Sequence, residues 1–181
     1  MRYLRLVILL LAAPLATPLL LAPRPAMAAA IDDDAQAALK KLYSTTPAAK
    51  VLAEKAKGIL VFPTIVKAGF MVGAHYGDGV LIQNGQVTGH YNSLAGSYGF
   101  QAGVQSFGYA FFFMNDDALK HLDDSAGLEI GVGPSVVVVD KGMAKTITTT
   151  TITKDVYAFV FSQKGLMAGA GIQGSKITRI R

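Results

Sequence analysis

Two kinds of side chain in this sequence are equipped for chemistry, a set of lysines and three histidines. Lys40, Lys41, Lys50, Lys55 and Lys57 crowd into one short segment, and Lys67 follows in "VKAGFMVGAHYGDG". Lysines beside apolar stripes can hold anionic head groups while the stripe meets acyl chains. His75, His90 and His121 form no H-x-H or H-x-x-x-H pair, and a metal centre wants several ligands at fixed geometry, so no metal site is expected. Asp116, Asp117, Asp123 and Asp124 lack the alternating pattern of a calcium loop and read as a helix cap and a solvated end. "GAGIQG" matches a dinucleotide fingerprint only in its glycines, with no following helix or distant acid. In "LAGSYG", Ala95 stands where a nucleophile elbow needs glycine. No catalytic constellation emerges, so the chain is expected to be non-enzymatic and to need no cofactor.

The first residues are set apart from these. Arg2 and Arg5 precede an apolar run from Leu6 to Ala22, and Ala26-Met27-Ala28 fits an A-x-A cleavage site. That is the pattern of a secretory signal over residues 1–28. The run is short for a membrane span and is interrupted by Pro14 and Pro18. An exported protein, periplasmic or attached to the cell envelope, is expected. With no cysteine it cannot be a lipoprotein anchored through one. The formal charge of +5 is inflated by Arg2, Arg5 and Arg24, and without them 14 basic residues face 12 acidic ones. No global basic field for nucleic acid remains, and an anionic partner must be bound by a local cluster.

The elements that must position the lysines follow from periodicity. Residues 29–58 are expected as a helical segment. Ala35, Ala38, Leu39 and Leu42 recur at helical spacing, and Val51, Leu52 and Ala56 give a second stripe. Asp32, Asp33 and Asp34 suit the first helix's N-terminus, Thr46-Pro47 an N-cap for the second, and Gly58 its stop. The spacing then puts Lys50 and Lys57 on one helical face, with Lys55 beside them and Lys67 nearby. Residues 59–181 are expected as a glycine-rich antiparallel β-domain in a single unit with the helices. Turns are expected at "GDG", "QNGQ", "DKG" and "QKG", one helix at "DDALKHLDD" capped by Asn115 or Asp116, and a strand at "TITTTTIT".

Alternation sorts residues 66–77 into two faces. Val66, Ala68, Phe70, Val72, Ala74 and Tyr76 make the expected core face, and Lys67, Gly69, Met71, Gly73, His75 and Gly77 oppose them. "GLEIGVGPSV" and "LMAGAGIQG" repeat this. In "SYGFQAGVQSFGYAFFFM" a bulge near Ser106 is expected to bring Phe107, Phe111 and Phe113 onto the face of Phe100 and Val104. The glycine face implies a strongly coiled or closed sheet, or a ligand lying on bare backbone. The fold class expected is α+β, with N-terminal helices packed on a coiled, mostly antiparallel sheet or closed barrel. Continuous runs such as "VVVV" and "FFF" argue against a membrane-spanning barrel.

"AKGILVFPTIVKAGFMVGAHYGDGVLI" and "SQKGLMAGAGIQGSKI" together resemble the SYLF lipid-binding domain family, over roughly Ala56 to Ile180. The resemblance implies a binding module. Eukaryotic relatives bind phosphoinositides and other acidic lipids with help from an N-terminal amphipathic helix, and some engage actin. Lys57 of "AKG" and Lys67 of "KAGF" are the positions that carry over. The expected function is binding of anionic membrane lipids at the envelope surface through Lys40, Lys41, Lys50, Lys55, Lys57 and Lys67. The alternative is a structural envelope protein acting on a protein partner.

Overall fold

The computed structural model describes residues 24–123, 128–129, 134–165 and 175–180. Helix α1 spans Arg24–Thr45 and α2 Pro47–Ala53, followed by strands β1 (Gly58–Gln83) and β2 (Gln86–Phe113). Then come α3 (Asp116–Asp123), β3 (Leu128–Glu129), β4 (Val136–Val138), β5 (Val156–Gly165) and β6 (Lys176–Arg179). The architecture is α+β.

One hairpin dominates. β1 and β2 pair antiparallel from Gly58↔Phe113 to Gln83↔Gln86 around Asn84-Gly85. Both turn residues have positive φ, 51° and 78°. Asn-Gly tolerates this backbone, whose twist matches that of the flanking strands. On its other edge β2 carries β5 along 105–113 and β6 along 91–94, both antiparallel. β3 extends β6, and β4 adds to β5 in parallel, so the sheet is mixed. "GDG" and "QKG" are not turns: Gly77-Asp78-Gly79 pairs with Ser93-Asn92-Tyr91, and Gln163-Lys164-Gly165 lies in β5. "TITTTTIT" is not a strand. Its threonines bond to their own neighbours, with Thr151 Oγ1 donating to the Thr146 carbonyl at 3.0 Å, a local alternative to a ladder.

The hairpin is bent back on itself. A Cβ placed on Gly77 would lie 2.7 Å from the Thr64 carbonyl oxygen, and one on Gly79 2.5 Å from that of Val61, both in the same strand. The two ends of β1 therefore press face to face, and only glycine allows that approach. Between them lies an inner core of Leu60, Phe62, Ile65, Leu81, Tyr91 and Phe111, with Ala118 and Leu122 of α3 closing it. The outer face carries a second core, in which Leu39, Leu42 and Leu52 of the helices are buried with Val61, Val80 and Phe112.

This geometry inverts the expected faces of residues 66–77. Lys67 (4% exposed) and His75 turn inward, while Val66 and Tyr76 are 47% and 50% exposed. At Gly77, on the inward side, the space is occupied by the opposite limb of the same hairpin. The bulge expected in β2 is absent. One extra residue lies instead in each neighbour, between Phe62 and Ile65 of β1 and between Phe161 and Lys164 of β5, where Ser162 has φ 53°. From Val104 to Phe113 β2 keeps its phase, so Phe107 faces inward and Val104 outward at 61% exposed. The side chain of Phe100, the glycines Gly127, Gly131 and Gly133, and all of "LMAGAGIQG" lie outside the described residues.

Local caps refine the helices. Asn115 Oδ1 accepts from the Ala118 N–H at 2.7 Å and caps α3. Thr46 sits at the N-cap of α2 but makes no side-chain cap bond. α2 ends at Ala53, ahead of Gly58, which already opens β1. α1 begins at Arg24, so Asp32–Asp34 lie within the helix. Asp32 instead reaches His90 of β2 at 2.8 Å and ties the helix to the sheet.

Candidate functional site

The expected lysine positions are redistributed by the fold. Lys50 is in α2, whereas Lys55 and Lys57 follow its end, so they do not share a helical face. Lys40, Lys41, Lys50, Lys55 and Lys57 are all exposed, and Lys67 is buried. Three depressions divide them. Lys40 and Lys57 line a cleft of about 520 Å3 between the helices and the β1/β2 turn. Lys41 faces Lys164 of β5 across a second depression, and Lys55 faces Lys154 across a third. Lys50 lines none of these three.

The first cleft has the more apolar floor. Leu39 from α1 and Ile59 and Ile82 from β1 form it, and Tyr43 stands at the wall. Burial pushes the Tyr43 phenol up to about 12, so it stays a neutral donor at physiological pH. Gln36 and Asn84 add hydrogen-bonding groups at the rim. Glu54 supplies one negative charge against the two lysines. Neither ammonium holds an ion pair or hydrogen bond among the described residues. Two lysines with one carboxylate leave a net positive charge over an apolar floor, which suits an anionic group with a hydrocarbon attachment. Sequence reasoning found Lys40 and Lys57 but missed Gln36, Glu54 and Asn84. Asn84 enters because the hairpin turn returns to the helices, and the Asn-Gly dipeptide was its one available signal.

The histidines are separated. His90 is bound to Asp32 on the outer face, and His75 meets Ser93 Oγ at 3.3 Å on the inner one. Burial first, and then the positive charge of Lys67, hold His75 below the usual histidine range. Among the described residues no three His, Asp or Glu side chains gather as metal ligands.

Residues 94–180 match a family model described as Ysc84, Las17-binding protein actin regulator. These residues belong to the Ysc84 (SYLF) family. The SYLF segment opens at Leu94 within β2 and covers α3 through β6. None of the cleft residues falls inside it. The match does not reach the "AKG" and "KAGF" motifs, which lie in and just ahead of β1, the strand paired with β2. None of the curated proteins compared matches the chain.

Proposed function

We propose that this protein is an exported, non-enzymatic module that binds anionic lipid head groups at the envelope surface, through the Lys40–Lys57 cleft. The observation that carries the reading is the pairing of two free ammonium groups with an apolar floor, attached to a SYLF segment. The family description speaks of actin regulation, but an exported chain does not meet cytosolic actin. Each lysine near an anionic surface contributes about 1 kcal/mol, so two give roughly 2 kcal/mol, or about 30-fold in affinity. Lys40→Gln with Lys57→Gln should weaken binding to vesicles containing phosphatidylglycerol by about that factor. Binding to phosphatidylcholine vesicles should be unchanged. Salt raised from about 50 to 500 mM should reproduce the loss. Equal binding by wild type and double variant would overturn the reading.

A second reading, contact with an envelope protein, is favoured by one feature. Val66, Tyr76, Leu94 and Val104 expose apolar surface on the outer face of the hairpin, beyond the part shared with the helix core. Tyr76↔Leu94 are register partners, and the other two lie toward the far end of the strip. Retention of a specific protein by wild type, lost in Leu94→Lys and without vesicle binding, would favour it.

A further inference from the structure

The inner face of the β1/β2 hairpin changes character beyond the aromatic core. After Ile65 and Phe107, the next inward positions are Lys67 and Gln105, which are register partners. Further round the bend come His75, Ser93 and, just ahead of β6, Ser175. All five are buried, and they are the buried polar residues among those described. None is a carboxylate.

Lys67 therefore lies inside the fold with no carboxylate among the described buried residues. It has no hydrogen bond or ion pair among the described residues, and it does not bond its cross-strand partner Gln105. Gln105 Oε1 and Ser175 Oγ are likewise buried without a partner among the described residues. Ser175 lies two residues before Ile177, which belongs to the inner core and pairs with Ser93, so it falls on the same face. Unpaired buried polar atoms are costly and rare, and an unpaired buried charge costs more. Two such atoms lie on one face beside the buried Lys67, and together they point to a partner that the described residues do not supply.

A way in is present. Gly69 and Gly103 pair directly beside Lys67 and Gln105. A Cβ on Gly103 would meet nothing within 4 Å among the described residues, and Gly103 itself is exposed. Bare backbone thus leads from solvent to the unpaired groups.

We propose that this inner face is a binding site for a monoanionic oxygen group, a carboxylate or a phosphodiester, with Lys67 as counter-ion and Gln105 and Ser175 as hydrogen-bond partners. The charge follows from the residues. Among the described residues only one buried lysine is present and burial favours neutral His75, so a monoanion balances the site while a dianion overshoots it. Toward an oxyanion Gln105 can donate only through its amide N–H groups, its Oε1 being an acceptor, and Ser175 can donate through its hydroxyl. This site is separate from the Lys40–Lys57 cleft.

The probes are acetate, laurate and dimethyl phosphate, at up to about 10 mM, enough to load a site of about 1 mM affinity. The readouts are thermal stability and the ring resonances of His75, assigned with His75→Gln. Neutralising Lys67 removes one cause of the low His75 titration, so a bound anion should move it upward. At least one probe should raise the melting temperature of wild type and of Lys40→Gln/Lys57→Gln alike, and should leave Lys67→Met unaffected. If Lys67→Met does not fold, Gln105→Leu serves, with a weakened response. Laurate alone acting identifies the head of an amphiphile, acetate acting equally identifies a small free acid, and dimethyl phosphate acting identifies a phosphodiester. No shift of His75 with any probe, or equal stabilisation of wild type and Lys67→Met, would overturn the site.

Discussion

Alanine placed at Gly79, Gly108 and Gly96 in turn should separate packing from every other use of the glycines. At Gly79 the new methyl would sit 2.5 Å from the Val61 carbonyl oxygen and 2.5 Å from the Phe62 ring. An ordinary contact needs about 3.5 Å, so the limbs of the hairpin must part by roughly 1 Å, against a backbone that cannot swing away. Overpacking of this kind costs about 1–3 kcal/mol, and the fixed carbonyl puts Gly79→Ala at the top of that range. At Gly108 the obstacle is the Phe161 ring at 2.5 Å, a half-buried side chain that can rotate, so about 1 kcal/mol is expected. At Gly96 nothing lies within 4 Å, and alanine should be neutral or stabilising by up to about 0.5 kcal/mol through the unfolded chain. Urea unfolding followed by circular dichroism gives the three values, with the slope checked for constancy. The order Gly79, Gly108, Gly96 is the expected result. If Gly79→Ala were as stable as Gly96→Ala, the limbs would not be in contact, and the account of the bend would be wrong.

Phe111 is fully buried and meets Phe62 edge-on at 6.3 Å between ring centres, so Phe111→Ala should cost about 3–5 kcal/mol by the same unfolding measurement. His75 gives a pH dependence of definite sign. Its folded value lies below the unfolded value of about 6.5, so the unfolded chain takes up a proton first as pH falls. Stability should therefore decline from pH 7 toward 5, and His75→Gln should flatten that decline; equal slopes in both proteins would show that the ring is solvated.

Much of the fold was legible where a residue type has only one comfortable use. Asn84-Gly85 announced the hairpin, Asn115 announced α3, and the Leu39/Leu42 stripe announced a buried helix face. The alternation of residues 66–77 was also legible, but its direction was not. Period fixes which residues share a face, and bulk usually tells which face is inside. Here bulk misleads, because the inner face lies against the other limb of its own hairpin at Gly77 and Gly79, and Lys67 and His75 turn inward where Val66 and Tyr76 were expected. The lysine cluster was visible for a simpler reason, local crowding in sequence. Its division among three depressions was not, since Lys164 and Lys154 come from β5 and the loop before it.

The length of the β1/β2 pairing bears on how this domain can be cut. The family match begins at Leu94, eleven residues after β1 has ended and part-way along β2. A fragment confined to 94–180 would keep β5 and β6 but lose the strand that occupies the whole opposite edge of β2. That edge carries a long row of backbone donors and acceptors, flanked by Phe111, Phe112 and Phe113. Exposed, it is a template for pairing with a second chain. A soluble minimal unit must therefore start no later than Gly58, and shorter fragments would self-associate through the vacated edge.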